Sequence, residues 1–273
     1  MYEIIVSIPY VKPIIIIESN ITWIREYCFE RFFPFCSFYS NTSNELAFRL
    51  RISEKNGEYK LEYDGNSYDL SEKKLLFYLS GFFHQILSPQ KGFILLHGGA
   101  LQYKDKAFLL LGKSMSGKTT LTAYLAYNGF VYYSDDLILI NSHSQSVFPC
   151  ANYMHIREIG LDVLQNTYLL NLKTKASSVS DGYRRYLYYP GNIANNPHLL
   201  NKVFFINYNE NVDLMYEQID QDVAEGRIVE NSFSTKTLVS TIIAAHRLSR
   251  NLVSYTLTYN DLEKAKKTII NLL

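Results

Sequence analysis

The chain has 273 residues, enough for one α/β domain or a core with a smaller appendage, and long enough to bury a sizeable apolar core. Its 27 lysines and arginines stand against 26 aspartates and glutamates, so no basic excess points to nucleic acid and no acidic excess to a basic partner. The three cysteines, Cys28, Cys36 and Cys150, show neither a CxxC nor a metal-ligand spacing, which fits free thiols in a reducing compartment.

The first residues, "MYEIIVSIPYVKPIIIIES", are apolar in short bursts broken by Glu3, Pro9, Lys12 and Pro13. They lack a signal-peptide layout and the roughly 20 apolar residues that span a bilayer, so a cytoplasmic protein without a membrane anchor is expected. Strand-like runs follow at "PIIIIES", "ELAFRLRIS" and "EYKLEY", with turn signals at Asn56-Gly57 and Asp64-Gly65-Asn66. "RISEKNGEYKLEY" predicts a hairpin, because apolar-polar alternation continues on both sides of an Asn-Gly turn. Cys28 and Cys36 lie in an aromatic-rich stretch and are expected in the core. "LSEKKLLFYLSGFFHQILSP" predicts a helix with Ser71 as its N-cap and Pro89 as its stop. It ends an N-terminal α+β subdomain, residues 1–90.

From residue 91 the texture changes. "GFILLHGGALQYKDKAFLLLGKS" reads as two strands joined by the polar turn "YKDK", and "TTLTAYLAYN" as a helix that Gly129 can close with a positive φ. "FVYYSDDLILIN" is strand material, "KVFFINYN" and "LVSYTLTYN" are strands, and "STKTLVSTIIAAHRLSR" and "DLEKAKKTIINLL" are helices. Strands alternating with helices predict a layered α/β domain over residues 91–273.

Gly112-Lys113-Ser114-Met115-Ser116-Gly117-Lys118-Thr119 matches G-x-x-x-x-G-K-[ST] without a mismatch, between a strand and a helix. The two glycines permit a backbone whose N–H groups wrap a phosphate, and the following helix, with Thr120 in its first turn, points its positive end at the same anion. Lys118 suits the β- and γ-phosphates of ATP, and the Thr119 hydroxyl suits Mg²⁺. Seventeen residues after Lys118 comes the pair Asp135-Asp136. Vicinal carboxylates beside a phosphate loop can divide their work, one holding metal and the other accepting a hydroxyl proton; they can equally be an exposed turn.

The order His97-Gly98, strand pair, P-loop, helix and Asp135-Asp136 over residues 95–140 resembles the catalytic core of the HPr kinase/phosphorylase family. The resemblance implies the fold shared with PEP carboxykinases and Mg²⁺-dependent transfer of the ATP γ-phosphoryl group to a serine hydroxyl. One aspartate would be the base and the other would support the metal, and His97 would hold a carboxylate in position. We assign the base to Asp136 and the metal to Asp135 with Thr119, although residue order does not orient the pair. Where that family continues Glu-x-Arg-Gly-x-Gly, "MHIREIGLDVL" places Arg157 and Gly160 in register but His155 at the glutamate. Either Glu158 takes over, or Thr119 and the aspartates hold the metal alone. Arg157 and the pair Arg184 and Arg185, in the Ser-, Tyr- and Arg-rich loop 178–192, are candidate substrate contacts.

The whole layout resembles the smaller HPr-kinase-related kinases of peptide natural-product biosynthesis, the lasso-peptide kinases among them. It implies a peptide or small-protein acceptor bearing a serine. Two other readings stand beside it: a kinase of a small-molecule alcohol, and a nucleotide-binding regulatory module whose catalysis has decayed, which His155 favours.

Overall fold

Two tight turns set the register of the first sheet. Asn56 and Gly57 have φ of 56° and 80°, and Asp64 and Gly65 have 49° and 74°. Successive left-handed residues make the two-residue loop whose twist matches antiparallel strands, so Ala47–Lys55 (β4), Glu58–Tyr63 (β5) and Asn66–Leu70 (β6) form a meander. The computed structural model describes residues 2–7, 14–32, 36–37, 47–76, 78–79, 93–177, 184–233 and 238–273. Tyr2–Val6 (β1), Ile14–Ser19 (β2) and Cys36–Ser37 (β3) complete a six-stranded sheet in the order β3-β1-β2-β4-β5-β6. The β2–β4 pairing is parallel, and between these strands the chain forms the helix Thr22–Phe32. Residues 72–76 and 78–79 are helical as expected, and the rest of that predicted helix lies outside the described residues.

The second sheet has nine strands. Its path is Val131–Ser134 (β10), Gly98–Tyr103 (β8), Lys106–Leu111 (β9), His198–Tyr208 (β16), Ser146–Phe148 (β12), Ile138–Asn141 (β11) and Phe93–Leu96 (β7), with Val253–Tyr259 (β18) beside β16 and Leu214–Ile219 (β17) beyond it. β9, β16 and β18 run parallel at its centre. A strand buried on both faces needs an unbroken apolar run, and "AFLLL" of β9 supplies one. The helices Lys118–Tyr127 and Leu262–Leu272 pack with one side of this sheet, and Gln221–Glu230 and Leu238–Asn251 with the other. The result is a mixed α/β protein with several sheets. A third sheet has three strands, Met154–Arg157 (β13), Arg185–Tyr188 (β15) and Thr174–Ala176 (β14).

Three readings need correction. Ahead of the "YKDK" hairpin the chain makes two strands, not one, because it breaks at His97 between β7 and β8. "FVYYSDDLILIN" is likewise two strands in different places: β10 pairs with β8 at one edge, whereas β11 lies between β12 and β7. The acidic pair is the crossing between them. The helix Gln221–Glu230 and the three-stranded sheet have no counterpart in the sequence reading, since "QDVAEGRIVE" carries a Gly and few apolar residues. Among the described residues no helix is long and apolar enough to cross a membrane. Cys28 and Cys150 are buried; the side chain of Cys36 lies outside the described residues.

The first two sheets share apolar surface. Ile4, Ile15, Ile17, Ile24, Leu50 and Ile52 form one cluster with Leu95 of β7, Leu139 of β11 and Cys150. Each fully buried aliphatic chain contributes about 1.5–3 kcal/mol, so the contact fixes the helix Thr22–Phe32 against the larger sheet. That placement matters for the site.

Candidate functional site

Backbone geometry builds the first half of the site. After β9 the loop turns through Met115 at φ 68° and Gly117 at φ 87°, and Gly117 opens the helix Lys118–Tyr127. A side chain at Gly117 would be strained, and a Cβ there would lie 2.6 Å from the Tyr259 hydroxyl. No side chain caps this helix, so its first-turn N–H groups retain their capacity for an anion. Lys113, Ser114 and Met115 are exposed, Thr119 and Thr120 half-buried, and Ser116 and Lys118 buried. Lys118 Nζ donates to the carbonyls of Gly112 at 2.7 Å and Lys113 at 2.8 Å. Burial lowers its pKa, against the opposing pull of Asp135 and Asp136.

Neighbouring elements hold the loop. The Gly112 N–H donates to Asn231 Oδ1 at 3.2 Å, Tyr208 N–H to the Ser116 carbonyl at 3.0 Å, and the Tyr259 hydroxyl to the Gly117 carbonyl at 3.3 Å. Asn231 also accepts the His97 N–H on its backbone carbonyl at 2.7 Å, which ties loop to histidine. The helix sits tightly on the sheet because Gly99 has no side chain; a Cβ there would meet Thr122 Oγ1 at 2.3 Å.

The second half is the crossing from β10 to β11. Asp136 has φ 68°, a left-handed conformation that Asp tolerates better than most residues. The Leu137 N–H donates to the Asp135 carbonyl at 2.9 Å, and the Ser134 hydroxyl donates to the Leu137 carbonyl. This three-residue turn gives the vicinal carboxylates different surroundings. Asp135 is 1% exposed, and neither of its carboxylate oxygens has a hydrogen-bond partner among the described residues. Burial and then Asp136 push its pKa up, against the weaker pull of the nearby Thr119 hydroxyl and Lys118. For Asp136, burial alone would do the same, but Arg31, His97, His155 and Arg185 outweigh it and hold the carboxyl below the usual range. Arg31 Nη1 lies 3.5 Å from Asp136 Oδ2. His97 Nδ1 lies 3.9 Å from Oδ1 and 3.2 Å from the Asp136 carbonyl, a hydrogen bond when Nδ1 carries its proton. Burial lowers the His97 pKa.

The remaining candidates separate. His155 is on β13, its Nε2 buried without a partner and its pKa pushed down to about 4, chiefly by burial, so the ring is neutral at pH 7. A neutral imidazole cannot replace a glutamate as a charged metal ligand. Glu158 turns instead to Arg184, 3.3 Å away at the surface. Arg184 is 79% exposed, whereas Arg185, one residue on, points its field at Asp136 from β15. Arg184 lies just before β15 begins, so the pairing of the strand fixes Arg185 but not its neighbour. Arg157 pairs in register with Arg185 and precedes the short helix Glu158–Asp162. Gly160 approaches Thr120, where a Cβ would come within 2.6 Å of its hydroxyl. Residues 178–183 of the loop lie outside the described residues.

Sequence reasoning missed Arg31, Asn231 and Tyr259, which reach the site from three distant elements. No local motif surrounds any of them. Among the described residues no group of three His, Cys, Asp or Glu side chains is placed to cage a metal. The unpartnered Asp135 oxygens and the half-buried Thr119 hydroxyl do suit a Mg²⁺ ion that takes its other ligands from phosphate and water. The buried, unpartnered Ser116 Oγ and the uncapped helix suit a phosphate.

No known family profile matches the chain, and no curated protein is similar to it. Among solved structures it is similar to the HPr(Ser) kinase/phosphatase from Coxiella burnetii, with 14% identity and a TM-score of 0.34, over 65% of this chain and 93% of that one.

Proposed function

We propose that the protein is an ATP- and Mg²⁺-dependent kinase that transfers the γ-phosphoryl group to a serine hydroxyl of a peptide or small protein. The observation that supports this best is the left-handed turn at Asp136, which sets two carboxylates in unlike surroundings beside a phosphate loop. Phosphoryl transfer needs positioning and charge stabilisation more than covalent help from the protein. The loop N–H groups and Lys118 bind the β- and γ-phosphates. Thr119 and Asp135 would hold Mg²⁺, which when bound supplies positive charge to the phosphate oxygens. Its charge also removes the reason for Asp135 to stay protonated.

Asp136 is the base. The guanidinium groups of Arg31 and Arg185 keep it ionised, and the His97 ring lies beside its carboxylate. The serine oxygen bonds to the γ-phosphorus, the bond from that phosphorus to the β–γ bridging oxygen breaks with ADP as leaving group, and the hydroxyl proton passes to Asp136. His97 orients the turn through the Asp136 carbonyl. Arg185 and Arg157 stand on the acceptor side, where a fork-shaped cation suits a carboxylate of a peptide. Precursors of ribosomally made natural products, lasso peptides among them, are the acceptor class we favour.

The test uses γ-labelled ATP with serine-containing peptides, read by mass spectrometry. Label on a serine supports the reading. Label transferred only to small alcohols would move the acceptor to that class, and ATP binding without any transfer or hydrolysis would leave a regulatory nucleotide module.

A further inference from the structure

The N-terminal helix ends at the site. Arg31, in the last turn of Thr22–Phe32, lies 3.5 Å from Asp136 Oδ2 with 26% of its side chain exposed. The residue before it, Glu30, is 3% exposed and accepts a hydrogen bond from Ser177 Oγ at 2.7 Å. Ser177 directly follows β14, and its N–H donates to the Arg185 carbonyl at 2.9 Å. Successive side chains of one helical turn thus join the N-terminal sheet to the acidic turn and to the three-stranded sheet. Behind them Ile24 and Cys28 are fully buried in the cluster that includes Leu95 and Leu139. A surface ion pair on a loose helix would have neither feature; this one is held by a packed core and a buried carboxylate.

We propose that Arg31 is a positioning residue of phosphoryl transfer, holding the Asp136 carboxylate in line for the incoming hydroxyl, so that the N-terminal sheet is part of the catalytic unit. The inference rests on the kinase reading above. The Asp136 backbone is already in a sparsely populated conformation, and its short side chain retains rotation about two bonds. His97 constrains one side of the turn through the backbone carbonyl. Arg31 constrains the opposite carboxylate oxygen, because the pair engages Oδ2 while His97 lies nearer Oδ1. Without the guanidinium the carboxylate can swing within its cavity, and a misplacement of an ångström is enough to cost about 100-fold in rate.

The experiment measures turnover of Mg²⁺·ATP to ADP by the full chain, with water as acceptor, for the wild type, Arg31→Ala, Arg31→Gln and Arg31→Lys. Each variant's melting temperature and its calorimetric affinity for the non-hydrolysable analogue AMP-PNP are recorded alongside. We expect Arg31→Ala and Arg31→Gln to lower kcat by about 10- to 100-fold, with KM for ATP and AMP-PNP affinity within about twofold. Arg31→Lys should restore most of the loss, since a single charge can still reach one oxygen. A purely structural role would lower the melting temperature and the nucleotide affinity together and would not be rescued by lysine; that pattern overturns the proposal. An active wild type with equally active Arg31→Ala and Arg31→Gln overturns it alone. A folded wild type that turns over ATP neither with water nor with serine-containing peptides overturns the kinase reading and this inference with it.

Discussion

The two sides of the acidic turn are made by different means. On the side of Lys118, Thr119 and Asp135, the site is built from backbone: a left-handed glycine, an uncapped helix and carbonyls that hold the lysine. On the side of Asp136 it is built from side chains that arrive from the N-terminal helix, the break before β8, β13 and β15. The first side leaves a buried carboxylate without a hydrogen-bond partner among the described residues; the second sets two guanidinium groups, Arg31 and Arg185, and two imidazoles around its carboxylate. The half proposed for nucleotide comes mostly from contiguous residues, with Asn231, Tyr208 and Tyr259 bracing its loop. The half proposed to face an acceptor depends on how three sheets pack.

Breaking the cationic side at its centre should have the largest effect. Asp136→Asn is expected to reduce phosphoryl transfer by about 10²–10⁴-fold while ATP affinity stays within about twofold. Single-turnover kinetics with calorimetry will check it, and a wild-type rate would remove the base from this side.

Next comes the backbone side. Lys118→Ala should weaken ATP binding by about 1.5–3 kcal/mol, roughly 10- to 150-fold, through loss of a charge-assisted contact to phosphate. Unchanged affinity in a folded variant would mean that the loop does not hold the nucleotide.

Asp135 and His155 should also oppose each other in stability against pH. Asp135 has a folded-state pKa raised above its unfolded value of about 4 by burial and by Asp136, so its contribution is full below that value and is lost as pH rises through the folded pKa. In the nucleotide-free protein, Asp135→Asn should therefore raise the melting temperature at pH 8, by about 2–4 °C for each kcal/mol recovered, with the advantage vanishing near pH 4. His155 has the reverse sign. Its pKa, about 4 when folded against about 6.5 when unfolded, gives stability that is present above pH 6.5 and lost as pH falls toward 4. His155→Gln should flatten that acid limb in thermal melts between pH 4 and 7.

The smallest effect sharpens the comparison between two neighbouring arginines. Arg185→Ala should raise KM for a peptide acceptor with ATP affinity unchanged, whereas Arg184→Ala, a surface pair with Glu158, should change neither by more than about twofold. Equal effects from both arginines would mean that a place inside β15 does not decide which one faces the acceptor.

Much of the frame was legible because its determinants are local. The Asn56-Gly57 hairpin, the strand, loop and helix around Gly112 to Thr119, and the close of the helix at Gly129 each depend on φ preferences and periodicity within about ten residues. Lys118 was singled out by its loop motif, and His97, Asp135 and Asp136 by the family resemblance of their order along the chain; the structure brings the four together. What residue order determined is a glycine- and lysine-bearing loop between strand and helix with two carboxylates in reach of it. The tertiary structure decided the surroundings of each carboxylate. Their dielectric and charge come from Arg31 more than a hundred positions before Asp136 and from Arg185 some fifty after it. It also decided that neighbouring arginines have different fates, since β15 begins at Arg185, which pairs with β13, and leaves Arg184 outside the strand at the surface. Local sequence specifies backbone conformation; the charge of a buried group is set by whatever the fold packs around it.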